Sequence, residues 1–178
     1  MNSFEVLTVA GLYNSGPDHW QTHWEKEYGF KRIIQTDYDT PVCADWIAAI
    51  DEAVMKGNPA STILIGHSLA CNTIVNWANK YQRKIKAALL VAPSDTESAI
   101  YPGGTTGFMP MPLNTLPFPS ITITSDDDKY VTIERAQFFT KHWGSELIIL
   151  HQLGHMGSAD KLALWPEGFK IFEHVLTL

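Results

Sequence analysis

Residues Ile63 to Asn72 read ILIGHSLACN. The positions before Ser68 are largely apolar and β-prone, Gly66, His67 and Ser68 break the run, and an amphipathic helical pattern follows. A serine at a sharp corner between a buried strand and a helix has two readings. It can be an ordinary helix cap. It can also be a nucleophile, because a strand–turn–helix corner of the G-x-S-x-G kind holds the serine in a strained conformation that exposes its hydroxyl above the sheet edge. Gly66 is small where the turn crowds a neighbouring strand. Ala70 stands where this motif usually has its second glycine and is still small enough for close helix packing. The helix N-terminus behind Ser68 favours developing negative charge.

Working outward, strand-like runs alternate with helical patterns along the whole chain. Glu5–Val9, Lys31–Gln35, Thr62–Ile65, Ala87–Val91, Ile121–Thr124 and Glu146–Leu150 are short and mostly apolar. Helical patterns at Trp20–Tyr28, Ala44–Met55, Leu69–Lys80, Ile133–Trp143 and Pro166–Leu176 fall between them. This alternation predicts an α/β fold with a mostly parallel sheet of about six strands and helices on both faces. Ligands in such sheets bind beyond the carboxyl ends of the strands, so residues just after each strand are the ones to search. The segment Tyr101–Pro119 departs from the pattern. It holds five of the ten prolines and three glycines, a density at which no regular element survives. Its apolar residues predict packing onto the body, as a lid or pocket wall that includes Phe108 and Met111. The alternative is a passive crossover in place of a helix.

A serine hydroxyl is a poor nucleophile without a base. Of seven histidines, His155 is the candidate. It lies in HQLGHMG, directly after the sixth strand-like run, at the same sheet edge as Ser68. His67 is read as structural, with its side chain pointing away from the pocket. His19 and His23 have an i, i+4 spacing that can bind metal, but no third ligand accompanies them, so no metal is expected. The base needs a carboxylate to orient it. ITITSDDDKYVT offers Asp126, Asp127 and Asp128; the D-x-x-V register with Val131 favours Asp128, with Asp127 as the alternative. The order Ser68, Asp128, His155 is that of α/β-hydrolases. An oxyanion needs two backbone donors. Leu69 follows the nucleophile, and Leu12 lies in the loop VAGLYNSGPDHW after the first strand. Tyr13, Asn14 and Ser15 of that loop are further pocket candidates. The loop has neither G-x-G-x-x-G nor G-K-[ST], which argues against a nucleotide-phosphate site.

AGLYNSGPDHWQTHWE, IGHSLA, SDDDKYV and LGHMG together resemble the small serine hydrolases related to retinoblastoma-binding protein 9. The resemblance spans nearly the whole chain, and S-G-P-x-H-W-Q is its most specific part. It implies a compact α/β-hydrolase fold and the cleavage of small esters, with Ser68 as nucleophile, Asp128 as the second aspartate of the family's pair and His155 as base. Two positions depart from the family pattern: Lys129 stands where proline is frequent, and Asp126 precedes the pair.

Composition narrows the alternatives. A chain of 178 residues, 45% hydrophobic, suits one domain spanning 1–178. A net charge of −6 without a basic run argues against nucleic-acid and acidic-membrane partners. Cys43 and Cys71 read as buried small hydrophobes. No apolar run reaches the ~18 residues of a membrane span. MNSFEVLTVAG lacks the basic start of a signal peptide, so a cytoplasmic location is expected. The reading is a carboxylesterase-like serine hydrolase acting on a small-molecule acyl substrate without a cofactor. A non-catalytic interaction module that keeps the hydrolase fold is the competing reading.

Overall fold

The computed structural model describes residues 4–178; Met1–Ser3, the start of the MNSFEVLTVAG stretch expected not to be a signal peptide, lie outside the described residues. The strands are β1 (Glu5–Val9), β2 (Lys31–Ile33), β3 (Thr62–His67), β4 (Ala87–Val91), β5 (Ser120–Ser125) and β6 (Glu146–Leu150). They form one sheet in the order β2-β1-β3-β4-β5-β6, and every neighbouring pair is parallel. The helices are α1 (Trp20–Tyr28), α2 (Cys43–Lys56), α3 (Leu69–Tyr81), α4 (Ile133–Trp143) and α5 (Pro166–Val175). The predicted elements are all present. The differences lie at their ends: β2 stops at Ile33, and β3 runs on through Gly66 and His67 to the serine itself.

The pleat sends alternate strand residues to opposite faces. Leu7, Val9, Leu64, Ala88 and Leu90 pack beneath α2, α3 and α4, against Trp46, Ile50, Trp77 and Phe139. Val6, Ile63, Ile65, Leu89, Val91, Ile121 and Ile123 face α1 and α5, against Trp20, Trp24 and Phe172. Central strands covered on both faces have little use for polar residues, which is why β3 and β4 read as continuous apolar runs. Cys43 and Cys71 are buried free thiols, as expected. Among the described residues no helix is long and apolar enough to cross a membrane.

The Tyr101–Pro119 segment is a strap over the α2–α3–α4 face, in the place of a crossover helix between β4 and β5. Phe108 sits edge-on to Trp46 at 5.9 Å, and Phe118 packs against Trp77 at 6.0 Å. Trp143 Nε1–H donates to the Pro112 carbonyl (2.9 Å), and the Leu116 amide donates to the Trp143 carbonyl (2.9 Å). Phe108 and Met111 therefore belong to the core, not to a pocket wall. They are the large apolar side chains that a helix would otherwise supply to this face.

Candidate active site

The carboxyl ends of the strands converge on a cavity of about 470 Å³. Its position follows from the corner at Ser68. The backbone there takes φ 58° and ψ −126°, a sparsely populated positive-φ conformation that costs a non-glycine residue of order 1–3 kcal/mol. The Ser68 side chain makes no capping bond to α3, so helix capping does not account for it. Gly66 lets the strand approach the helix: a Cβ there would lie 2.7 Å from Ile74 Cδ1 and 3.2 Å from backbone atoms of Ala70 and Cys71. Gly11 does the same for the loop after β1. A Cβ on it would meet the His67 carbonyl oxygen at 2.7 Å and Ser68 Cβ at 3.0 Å.

Ser68, His155 and Asp128, predicted from three separate segments, meet in one hydrogen-bonded row. Ser68 Oγ is 2.8 Å from His155 Nε2, and His155 Nδ1 is 2.9 and 2.8 Å from the two Asp128 oxygens. A carboxylate only accepts, so His155 carries its proton on Nδ1 and presents a bare Nε2 to the serine hydroxyl. The Asp128 side chain is 0% exposed and the His155 side chain 13%. The Tyr130 ring meets the imidazole edge-on at 4.6 Å.

The three adjacent aspartates have three different partners. Asp126 bonds His151 Nδ1 and accepts from the Gln152 amide (2.9 Å). Asp127 accepts from Ser125 Oγ (2.6 Å) and the Gly154 amide (2.8 Å), tying β5 to the loop that carries His155. Those donors hold the Asp127 carboxyl below its usual range, the Ser125 hydroxyl most strongly. For Asp126 the Gln152 amide is the main cause of a similar lowering, with His151 next. Asp128 alone faces His155, and Val131 behind it is buried.

Leu12, Tyr13 and Asn14 line the cavity with Tyr101, Pro102, Lys129 and Tyr130. The amides of Leu12 and Leu69 donate to no acceptor among the described residues. Ser15 is not part of the lining. It is buried, and its hydroxyl donates to Gln21 Oε1 (2.6 Å), inside the β1–α1 connection.

His67 departs from expectation. It lines the cavity floor instead of pointing away, and it stands in a chain of imidazoles. Its Nε2–H donates to the His155 carbonyl (2.9 Å), its Nδ1 faces His19 Nε2 (3.3 Å), and His19 Nδ1 accepts from the Gln21 amide (3.1 Å). These partners give both rings a single neutral tautomer. Burial, and then the Arg32 charge, brings His19 down to about 3. Burial, and then His19, holds His67 far below the ordinary imidazole range. Both His19 ring nitrogens are thus engaged, and no group of three or more candidate metal ligands occurs among the described residues.

The S-G-P-x-H-W-Q stretch has structural work at several positions. Trp20 Nε1–H donates to the Met156 carbonyl (2.9 Å), and Gln21 Nε2 donates to the carbonyls of Val9, at the end of β1, and Ile65, within β3 (3.0 and 3.1 Å). The loop bearing His155 is thus fixed by His67 and Trp20 on successive carbonyls. The sequence reading gives His67 a structural role but assigns none to Trp20 and Gln21, nor to Ser94, whose Oγ is 2.9 Å from Ser68 Oγ. The position of Ser94, just after β4 at the edge that carries Ser68, is the available signal.

The family model described as serine hydrolase matches residues 6–174. A YdeN-like hydrolase from Pectobacterium atrosepticum superposes with a TM-score of 0.86 at 26% identity, over 98% of this chain and 91% of that one. The ydeN product of B. subtilis superposes at 0.79 with 15% identity, over 99% and 100%. Est1E from Butyrivibrio proteoclasticus superposes at 0.69 with 12% identity, over 100% and 90%, and shares the fold. No curated protein matches the chain significantly. With its model matched over nearly the whole length and an α/β-hydrolase sheet beneath the corner at Ser68, the chain belongs to the small serine hydrolase family that includes retinoblastoma-binding protein 9.

Proposed function

We propose that this serine hydrolase cleaves carboxylic esters with small acyl groups through Ser68, His155 and Asp128 and an acyl-enzyme intermediate. The observation that carries the proposal is the unbroken row from Ser68 Oγ through His155 to a fully buried Asp128 carboxylate. In the first half-reaction His155 Nε2 takes the Ser68 proton as Oγ attacks the acyl carbon. The amides of Leu12 and Leu69 hold the oxyanion, and the imidazolium, stabilised by Asp128, gives its proton to the leaving alcohol. Water then attacks the acyl-enzyme with His155 again as base, and the acid departs. A cavity of about 470 Å³ suits a substrate of modest size. Its accessible surface is mainly apolar, and the side formed by Tyr101, Pro102 and Tyr130 suits the acyl or alcohol group.

A fluorophosphonate probe tests this directly. The wild type should label at Ser68 and turn over p-nitrophenyl acetate, while folded Ser68→Ala should do neither. A folded wild type that resists the probe would overturn the proposal in favour of an interaction module, and Ser68→Ala that keeps turnover above the buffer rate would overturn it by placing the nucleophile elsewhere.

A further inference from the structure

Ser94 is 1% exposed, yet its hydroxyl lies 2.9 Å from the Ser68 oxygen and borders the cavity. Counting protons fixes the direction of that bond. His155 Nδ1–H is committed to Asp128, so Nε2 must accept, and the one Ser68 proton goes to it. The proton between the two serines therefore belongs to Ser94, and Ser68 Oγ is the acceptor. Sheet order fixes the side from which it comes. Leu12 follows β1 and Ser94 follows β4, and these strands flank β3 on opposite sides. Ser94 thus reaches the nucleophile from across the corner, away from the oxyanion donors.

The Ser94 loop is held rigidly. Asn72, fully buried one turn into α3, donates from Nδ2 to the Ser94 carbonyl (2.9 Å). The Asp95 amide donates to the Tyr130 carbonyl (2.9 Å), and the Asp95 carboxylate receives Arg135 Nε and an Arg135 terminal nitrogen at 2.7 and 3.0 Å. A preplaced donor of this kind acts most where negative charge grows on the atom it faces.

We propose that Ser94 is a further catalytic residue, whose hydroxyl stabilises Ser68 Oγ as it leaves the acyl carbon and so speeds breakdown of the acyl-enzyme. The inference rests on the proposed ester chemistry. In the resting enzyme Ser68 already accepts the Ser94 bond, so little is gained during attack. In the acyl-enzyme Oγ is an ester oxygen and a weak acceptor. When water has added and the carbon–Oγ bond breaks, the electron pair returns to Oγ, His155 delivers the proton it took from water, and the carboxylic acid departs. The Ser94 bond strengthens along that path without transferring its own proton.

The test is the lifetime of acetyl-Ser68, followed by quenched intact mass after exposure to p-nitrophenyl acetate. Ser94→Ala should lengthen it about tenfold, the effect of one lost hydrogen bond to a developing charge. Ser94→Cys, of similar size and with a poorer donor, should lengthen it as well. The fluorophosphonate labelling rate of both variants should stay within about threefold of wild type, because a loosened corner would slow labelling too whereas loss of the Ser94 donor would not. The parameters kcat and KM should fall together, with kcat/KM held. A lifetime within about twofold of wild type in either folded variant overturns the role of Ser94, as does a parallel loss of labelling. Adduct formation that survives Ser68→Ala would instead overturn the underlying ester chemistry.

Discussion

Three consecutive aspartates of equal charge differ only in what each one touches. Asp128 is sealed beneath His155, Asp127 braces the loop from below, and Asp126 sits at the surface beside His151. The proposed mechanism makes their contributions to rate unequal. Asp128→Asn should lower kcat by up to ~10⁴-fold, because an amide no longer fixes the tautomer that leaves Nε2 free. Asp127→Ala removes the acceptor for Ser125 Oγ and the Gly154 amide, so the loop carrying His155 loosens and the loss should be intermediate. Asp126→Asn changes an exposed pair and should leave kcat/KM within about threefold. The measurement is p-nitrophenyl acetate turnover on variants whose circular dichroism matches wild type. Three equal losses would place the orienting carboxylate elsewhere.

At the scale of elements, the strap shows where a sequence pattern misleads. Its prolines and glycines correctly exclude a helix, but its apolar residues carry no periodicity to say which surface they meet. Phe108 and Met111 face the core, while only Tyr101 and Pro102 at its start reach the cavity. Phe108→Ala should therefore behave as a core truncation, costing about 3–5 kcal/mol by urea unfolding. The acyl-chain preference of the folded fraction should be unchanged. A changed preference at full stability would return Phe108 to the pocket. The same contrast governs what was legible elsewhere. Ser68, Asp128 and His155 could be placed because each follows a strand, and strand ends in a parallel sheet share one edge. The His19–His67–His155 chain could not be read: it joins residues 48 and 88 positions apart through ring nitrogens, and nothing in local periodicity encodes such pairing. The side His67 takes is equally illegible from the apolar run, which stops at Ile65, whereas β3 continues to His67 and brings its ring to the cavity.

For the molecule as a whole, those imidazoles couple folding to pH. His19 and His67 are buried and neutral, surrounded by Arg32, His23 and His155 rather than by a carboxylate that would welcome a charge. Their folded values lie below the ~6.5 of an unfolded histidine. Between about 6.5 and about 3, the lower figure being that of His19, the unfolded chain binds more protons than the folded one, so stability rises with pH in that window. It is fully present above the unfolded value and is lost as the pH falls through the window. The lowered carboxylates act further down. Asp51, held low chiefly by Arg83, has an unfolded value near ~4, so its contribution disappears only below that pH. A fall in stability between pH 6.5 and 4.5 is thus mainly a histidine signal. His67→Gln keeps an amide N–H to offer the His155 carbonyl but removes one titrating ring. Urea midpoints measured across that interval should fall less steeply with decreasing pH than in wild type, whatever the offset at pH 7. An unchanged slope would mean that His67 is protonated in the folded protein, which would cost the neutral tautomer that meets His19 through a bare Nδ1 and break the chain that holds His155 in place.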